Sequence, residues 1–259
     1  MELELAYRPT GKQLAFHAST ADEVLYGGAA GGGKSYAICW DALMRCLKYP
    51  QTHAYLFRRT YPELEMTLVR TMMRIAPKEL GKYVSSAHEL RLSNGSVIHF
   101  CHLSNEGDGL LKYQGAEIHW LYFDELTHFT ESQFTYLISR IRGANPYPKQ
   151  VKSTTNPGGI GHQWVKSRYI DPMPPDEVHA FDGETRLFLP ARLTDNPFLR
   201  RADAGYEKRL RLLSVHDRRA LLDGVWELDE GRYFSEFSPA LHIVPPHEIP
   251  REWRRYLTI

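Results

Sequence analysis

The stretch Gly28-Ala-Ala-Gly-Gly-Gly-Lys34-Ser35 decides the fold of this chain, because it satisfies the pattern G-x-x-x-x-G-K-[ST] in full. A short apolar run at residues 23–26 precedes it, and residues 34–47 carry apolar side chains at helical spacing. A strand, a glycine-rich loop and a helix in this order predict a phosphate-binding loop, in which backbone N–H groups turn inward and the helix N-terminus adds partial positive charge. The alternative is a glycine-rich turn that only caps a helix, and the strand before the loop argues against it.

The loop predicts most contacts of a bound ATP. Lys34 is expected to reach the β- and γ-phosphates, and the Ser35 hydroxyl to ligate Mg²⁺. The other predicted nucleotide contacts in this stretch are Gly28, Ala30, Gly31, Gly32, Gly33 and Tyr36. Upstream, the side-chain amide of Gln13 is a candidate for hydrogen bonds to adenine, with an ordinary position on a helix surface as the alternative.

Leu121-Tyr-Phe-Asp124-Glu125 supplies a second half of the site, because an apolar strand that ends in carboxylates places them at the carboxyl edge of a parallel sheet, where ligands bind. Asp124 is expected to hold Mg²⁺ through its water shell. Glu125 is expected to polarise the water that attacks the γ-phosphate. Alone, such a run is more often a strand that ends in a solvated turn, and the phosphate-binding loop is what gives it weight.

Further strands lie between the two motifs, at residues 53–57 and in a hairpin around Asn94-Gly95, a dipeptide that favours a type I′ turn. This favours an α/β P-loop NTPase of the additional-strand, catalytic-glutamate type with a mainly parallel sheet, over a kinase or small GTPase. Another strand, at residues 150–153, leads to Thr155 and Asn156, one of which is predicted to touch the γ-phosphate or the attacking water. A plain polar turn is the alternative there.

Arginines at the ends of predicted elements are candidates for neutralising charge on the γ-phosphate during transfer. Arg140 and Arg142 end the helix predicted at residues 131–141, and they are the candidates for a finger that reaches a neighbouring subunit. Arg142 is favoured because Gly143 lets the backbone turn its side chain outward. Arg58 and Arg59 are next in line for a role within the same subunit, and a surface ion pair is the alternative for each arginine.

The composition is that of a globular protein, with 42% hydrophobic and 24% charged residues in a chain of 259. The net charge of +1 argues neither for nor against a polyanionic partner. Contacts with DNA are therefore expected only at local basic runs such as Arg200-Arg201. No apolar run approaches the ~20 residues of a membrane span. The three cysteines do not form a disulfide framework, which indicates a reducing compartment.

The composition changes at the proline-rich residues 171–176. We therefore predict a P-loop core at residues 1–180, a helix-rich second segment at 181–235 with a core strand near 187–189, and a linker from 236 that is stiffened by prolines.

The order of these motifs resembles the large terminase subunit of tailed bacteriophages, the ATPase that drives DNA into a preformed capsid. Beyond the phosphate-binding loop, the resemblance rests on Gln13 and on residues 56–64 (LFRRTYPEL), 114–125 (QGAEIHWLYFDE), 153–157 (STTNP) and 196–226. It covers nearly the whole chain. It implies that the second segment is a small helical lid subdomain, that residues 153–156 couple hydrolysis to DNA movement, and that residues 236–259 lead into a nuclease domain that this sequence lacks.

The same resemblance implies the partners: double-stranded DNA, the capsid portal and the small terminase subunit, in a homo-oligomeric ring in the host cytoplasm, with a monomer possible in isolation. Two alternatives stay open. A helicase-like DNA-dependent ATPase would need a second RecA-like domain, for which the sequence has no room. A non-catalytic nucleotide-binding assembly module would not need Glu125.

Overall fold

The computed structural model describes residues 6–103 and 108–227. The predicted linker and nuclease start at residues 236–259 lie outside these ranges. Within them, nine strands form one sheet in the order β3-β4-β5-β2-β6-β7-β1-β9-β8. The strands are β1 (Glu23–Gly28), β2 (His53–Arg58), β3 (Gly81–Val84), β4 (Glu89–Leu92), β5 (Val97–His102), β6 (Trp120–Asp124), β7 (Gln150–Thr155), β8 (Val178–Phe181) and β9 (Glu184–Ala191).

Helices connect these strands and flank the sheet. They are α1 (Gly11–Ala18), α2 (Lys34–Lys48), α3 (Tyr61–Leu64), α4 (Arg70–Ile75), α5 (Asp108–Leu111), α6 (Glu131–Ile138), α7 (His162–Val165), α8 (Pro197–Ala202), α9 (Tyr206–Leu210) and α10 (Val215–Leu221). Wide π-helical turns continue α3 and α7, at Glu65–Val69 and Lys166–Ile170, and short 3₁₀ turns lie at Lys78–Leu80, Leu126–His128 and Leu193–Asp195.

The centre of the sheet is parallel from β5 through β2, β6, β7 and β1 to β9. β7 lies between β1, which leads into the phosphate-binding loop, and β6, which ends at Asp124. Thr154 of β7 is in register with Asp124 on one side and with Tyr26 on the other. The predicted α/β P-loop fold with an additional strand is confirmed, and the register brings the carboxyl ends of these three strands to one edge.

The hairpin predicted around Asn94-Gly95 is also confirmed, since β4 and β5 pair antiparallel on either side of it. The predicted type I′ turn is wrong, because only Gly95, with φ 85°, has a positive φ and Asn94 does not; residues 93–95 form a three-residue loop between Leu92 and Ser96 instead. The hairpin extends the sheet beyond β2, away from the phosphate-binding loop.

Two apolar clusters cover the two faces of the sheet. One contains buried side chains of α2, among them Ile38 and Leu43, and the other contains Phe134 of α6 and Tyr169. Every residue of β1, β6 and β7 is buried, as expected for parallel strands that are covered on both faces. The loops at the ends of these strands therefore start from rigid positions.

A buried polar network around Asp41 ties α1 and α2 to the sheet. One carboxylate oxygen of Asp41 contacts the His17 ring at 2.9 Å and Lys152 Nζ at 3.0 Å, and the other accepts bonds from Arg45 at 2.8 Å and Tyr122 at 2.7 Å. Burial raises the pKa of Asp41, but Lys152, His17 and Arg45 lower it more, so that it lies well below its usual range. These contacts join α1, α2, β6 and β7 through one carboxylate.

The second segment divides between the sheet and a helical appendage. Residues 187–189 lie in β9, which pairs with β1 in the body of the sheet. The predicted boundary at residue 180 falls inside β8, and the helices of the appendage begin only after Leu193. The appendage returns to the core at Gly224 and Trp226, whose ring packs against the backbone of Gly27. In the described part of the chain, no helix has the length and apolar character to cross a membrane.

Candidate functional site

The phosphate-binding loop has the backbone that its glycines allow. Gly33 caps α2 in the left-handed region, with φ 78° and ψ 22°. Gly28 has φ 134°, and a Cβ there would lie 2.5 Å from the carbonyl oxygen of Ala191. The loop therefore passes too close to β9 for a side chain at position 28, and its backbone leads directly into the N-terminus of α2.

Lys34 is buried at the floor of the site. Its Nζ donates to the carbonyl oxygen of Ala29 at 2.6 Å and to Oδ1 of Asn156 at 2.8 Å. Burial lowers the pKa of Lys34 to about 8, and the nearby carboxylates of Glu125 and Asp124 counteract that shift. The ammonium group is thus a cation near neutral pH, held between the loop and the end of β7.

Asp124 ends β6 with a side chain that is almost completely buried. Its Oδ1 accepts hydrogen bonds from the hydroxyls of Ser35 at 2.9 Å and Thr154 at 2.7 Å. Its Oδ2 forms an ion pair with the guanidinium of Arg58, the last residue of β2. Three neighbouring elements therefore meet on a single carboxylate.

Glu125 follows in a left-handed backbone conformation, with φ 60° and ψ 61°. Such a conformation is strained for a side chain larger than glycine, and it turns the carboxylate toward β7. The backbone N–H and the side-chain amide of Asn156 both donate to this carboxylate, each at 3.1 Å. Burial raises the pKa of Glu125, Asp124 adds to the shift, and Lys34 and Arg58 oppose it.

Asn156 thus bridges Lys34 and Glu125, the two charged groups for which the sequence predicts roles in hydrolysis. The loop beside it is fixed by Thr127, whose hydroxyl contacts Thr155 Oγ1 at 2.8 Å and donates to the carbonyl oxygen of Asn156 at 3.0 Å. Buried His162 accepts from the N–H of Gly158 at 3.0 Å and contacts the carbonyl oxygen of Trp226 at 3.1 Å. The loop after β7 is therefore connected to the end of the helical appendage.

Two adjoining cavities open over these groups. The smaller one, of about 280 Å³, is lined by residues 30–36 together with Glu125 and Asn156. The larger one, of about 660 Å³, shares Gly33 and Tyr36 with it and is also lined by Tyr7, Arg8, Gln13, Arg74, Asn196, Phe198 and Leu199. The smaller cavity has charged and polar groups at its floor. The larger cavity has aromatic and apolar side chains in its walls, together with the two arginines Arg8 and Arg74.

Gln13 lines the larger cavity, but its amide is already bonded within the protein. Oε1 accepts from the N–H of Thr10 at 2.9 Å in a capping box at the start of α1, and Nε2 donates to the carbonyl oxygen of Gly33 at 3.0 Å. Each end of the amide has a protein partner but keeps one further donor or acceptor position, so the predicted contact with adenine stays a prediction. The N–H of Ala30 is likewise directed to a protein acceptor, the carbonyl oxygen of Leu221 at 2.7 Å.

Arg140 and Arg142 do not lie at the edge that carries the site. Helix α6 ends at Ile138, and the following residues pair with Ile118, which precedes β6. At about 3.3 Å per residue, β6 places this point roughly 20 Å from Asp124. Both arginines therefore lie far from the site of their own subunit, and a finger that reaches a neighbouring subunit stays a prediction.

Both side chains are bound locally. Arg142 Nε donates to the carbonyl oxygen of Ala116 at 3.1 Å, and Arg140 Nη1 donates to that of Gln114 at 3.3 Å. A Cβ at position 143 would lie 2.7 Å from His119 Nε2, so Gly143 is required by close packing rather than by an outward turn of Arg142.

Sequence reasoning missed two residues of the site, Thr154 and Asn196. Thr154 follows a predicted strand and donates to Asp124. Asn196 of the appendage caps α8 and donates from Nδ2 to the carbonyl oxygen of Gly31 at 2.7 Å. The signal available for both was position at a strand or helix end, which many other polar residues share. Arg58 was a candidate for the γ-phosphate, and the structure places its guanidinium on Asp124.

A family model described as the terminase large subunit, T4likevirus-type, N-terminal, matches residues 25–238. A search among curated proteins found no match. Among solved structures, the large terminase of a thermophilic bacteriophage is similar with a TM-score of 0.70 at 19% identity, over 96% of this chain and 61% of that chain. The chain thus spans about three fifths of that terminase.

The same phage protein in complex with ATP-γ-S is similar with a TM-score of 0.66 at 19% identity, over 93% of this chain and 58% of that one. The large terminase ATPase domain of Thermus phage P74-26 is similar with a TM-score of 0.56 at 18% identity, over 86% of this chain and 95% of that domain. At these identities the structural likeness shows the fold, and the family model carries the assignment.

Proposed function

This chain belongs to the terminase large-subunit family, T4likevirus type, and we propose that it binds and hydrolyses ATP to power translocation of double-stranded viral DNA into a capsid. One observation carries the hydrolytic part of the proposal. Lys34, Ser35, Asp124, Glu125 and Asn156 come from three separate stretches of sequence and meet at one edge of the sheet. Asn156 bridges Lys34 and Glu125, Asp124 accepts a hydrogen bond from Ser35, and the phosphate-binding loop, Glu125 and Asn156 line one cavity.

The smaller cavity is the site for the phosphates. The backbone N–H groups of residues 31–35 and the N-terminus of α2 provide positive potential there, and Lys34 supplies a full charge. Ser35 and Asp124, joined by a 2.9 Å hydrogen bond, offer one hydroxyl and one carboxylate, which fits Mg²⁺ held jointly by protein and phosphates. In the described residues, no group of three or more His, Cys, Asp or Glu side chains could hold a metal ion. When bound, Mg²⁺ would neutralise charge on the phosphates.

Glu125 acts as the general base. Its carboxylate accepts the proton of the attacking water, and the raised pKa makes it a better proton acceptor than a solvated glutamate. Asn156 positions this carboxylate through two hydrogen bonds and holds Lys34 with its amide oxygen. The general base and the phosphate-binding cation are therefore aligned by one side chain.

The larger cavity accommodates the base and ribose. Tyr36 and Phe198 provide apolar surface for a planar ring from the core and from the appendage. Gln13 holds Gly33 through one N–H of its amide, and its remaining donor and acceptor positions are available to adenine. Asn196, bonded to Gly31, makes the appendage a lid whose position depends on the conformation of the phosphate-binding loop.

Coupling to DNA rests on the route from the site to the lid. Hydrolysis changes the contacts of Glu125 and Asn156 with the nucleotide. The loop that follows Asn156 is bonded to His162 through Gly158, and His162 contacts Trp226 at the end of the lid, so a movement of this loop reaches the lid. The implied partners, namely double-stranded DNA, the portal, the small terminase subunit and a ring of identical subunits in the host cytoplasm, belong to this proposal by family membership.

The direct test compares nucleotide binding and ATPase activity of the wild type and Lys34→Ala. We expect Lys34→Ala to weaken ATP binding and to reduce turnover by about 10²-fold or more, since it removes a full charge from the phosphate site. Circular dichroism and thermal melting should confirm that the variant is folded. Wild-type turnover in a folded Lys34→Ala protein would refute the assignment.

A second measurement addresses the nucleic acid. Duplex DNA should stimulate the ATPase more than single-stranded DNA of the same length. Preferential stimulation by single strands would favour the helicase-like alternative, and ATP binding without turnover under any condition would favour a non-catalytic assembly module.

A further inference from the structure

Arg58 connects the Asp124 carboxylate to a helical segment outside the site. Its side chain is 13% exposed, and its guanidinium forms an ion pair with Asp124 Oδ2. On its other side, Nε lies 3.8 Å from Oε2 of Glu63, in the first turn of α3. Both this nitrogen and this oxygen are buried, and neither has a hydrogen-bond partner among the described residues. The guanidinium thus has one carboxylate in contact and a second within reach.

The ion pair occupies the side of Asp124 that a metal shell would use. Oδ1 already accepts two hydrogen bonds, from Ser35 and Thr154, so that Oδ2 is the remaining oxygen for a metal-bound water. A guanidinium and a hydrated Mg²⁺ are both cations, and they repel each other strongly at contact distance in a buried site. They therefore compete for one oxygen.

We propose that Arg58 is a positioning residue that holds Asp124 in the nucleotide-free protein and transfers its ion pair to Glu63 when Mg²⁺ and nucleotide bind. This inference rests on the proposed function, because it takes Asp124 as the metal-side carboxylate. The move is short, since Nε needs to approach Glu63 by about 1 Å to reach hydrogen-bonding distance. The two unpartnered atoms become a charge-assisted hydrogen bond in the process.

The helical segment that contains Glu63 leads to the larger cavity. Residues 61–75 form one helical run that contains the wide turn Glu65–Val69, a feature often found at functional sites. Near the end of the run, Arg74 lines the larger cavity and lies over the Tyr36 ring at 6.0 Å from its centroid. A shift of Glu63 toward Arg58 is therefore transmitted to the wall of the cavity that we assign to the base and ribose.

The test is a Mg²⁺ titration of binding of a fluorescent, non-hydrolysable ATP analogue, with Arg58→Ala, Glu63→Gln, the double variant and Arg91→Ala. Arg58→Ala should lower the Mg²⁺ concentration for half-maximal binding by about tenfold, because a competing cation is removed. Glu63→Gln should raise it severalfold, because Arg58 loses its second partner. The double variant should behave like Arg58→Ala. Arg91→Ala is the control and should match the wild type, since Arg91 lies on β4 and pairs with Glu89.

Arg58→Ala and Glu63→Gln should shift the Mg²⁺ requirement in opposite directions if the ion pair is exchanged. A purely structural role of the two residues would instead weaken analogue binding in both variants. An unchanged or higher Mg²⁺ requirement in Arg58→Ala, with wild-type binding intact, overturns the exchange alone. If Arg58→Ala fails to fold by circular dichroism, Glu63→Gln decides the question, and an unshifted requirement there overturns the exchange. Absence of analogue binding by the wild type at saturating Mg²⁺ overturns the proposed function and the exchange with it.

Discussion

The two edges of the parallel sheet bury titratable side chains in different ways. At the carboxyl edge, Lys34 and Glu125 face a cavity of about 280 Å³ and share Asn156 as a partner. At the amino edge, the rings of His53, His99 and His119 stack on one another, with centroids of His53 at 5.3 Å from His99 and 6.1 Å from His119. Lys34 and Glu125 thus border a cavity, whereas the three histidine rings pack on one another; the cavity of about 430 Å³ at the amino edge lies beside Asp41, Arg45 and Gln150.

Shifted pKa values occur at both edges. Burial lowers the pKa of Lys34 to about 8, and burial also lowers the pKa of His99 to about 4, against the opposing charge of Glu89. A perturbed pKa by itself therefore does not mark a site. What distinguishes the carboxyl edge is that its charged groups lie at the ends of neighbouring parallel strands, next to a phosphate-binding loop, and share Asn156 as a partner.

Glu125→Ala should have the largest effect on turnover. We expect a decrease of about 10² to 10⁴, the range for a lost general base, with ATP affinity near that of the wild type. Steady-state ATPase assays and equilibrium nucleotide binding measure the two quantities. The control is Glu117→Ala, an exposed glutamate at the amino edge, which should keep wild-type turnover. A parallel loss of binding and turnover in Glu125→Ala would mean that Glu125 is structural.

Asn156→Ala should have the next largest effect. A hydrogen bond to a charged group contributes roughly 1.5–3 kcal/mol, so loss of the bridge should reduce turnover by about 10- to 100-fold. Asn145→Ala is a matched control, because Asn145 contacts His119 at the amino edge. If both asparagine variants lost turnover equally, the contrast between the edges would not hold.

The amino edge should instead determine a pH dependence of stability. The folded-state pKa of His99 is lowered to about 4 from its ordinary value of 6.5, so the unfolded chain binds more protons between these values and stability falls as pH falls. From neutral pH to pH 5, His99 should cost about 2 kcal/mol of unfolding free energy. Urea unfolding at both pH values measures it, and His99→Gln should flatten the dependence. A wild-type stability that is unchanged at pH 5 would contradict the assignment.

Arg142→Ala should have the smallest effect on the properties of an unassembled subunit. Its guanidinium contacts a backbone carbonyl at the amino edge, so ATP affinity and stability of the unassembled chain should stay within the roughly 0.5 kcal/mol typical of surface substitutions. A role in a neighbouring subunit stays a prediction. Mixing Arg142→Ala with Glu125→Ala subunits tests it, since partial recovery of turnover requires a working finger to meet a working site. No recovery in a demonstrably mixed assembly would exclude Arg142 from that role.

The sequence by itself determined the fold class and the neighbourhood of Lys34, Ser35, Asp124, Glu125 and Asn156. These residues are recognisable because the requirement on them is local: a left-handed glycine before a helix, or a carboxylate at the end of a fully buried strand. A parallel sheet then brings strand ends to one edge without further information. Hence their proximity followed from the element order alone.

Only the tertiary structure decided which other polar groups reach this edge. Arg58 and Arg142 both end predicted elements, yet Arg58 contacts Asp124 whereas Arg142 lies at the opposite edge, because α6 ends at Ile138 and the chain then pairs beside Ile118. Gln13 lines the cavity but bonds Thr10 and Gly33. A long side chain at an element end has several partners within reach, and packing of distant segments, which no local pattern encodes, selects one of them.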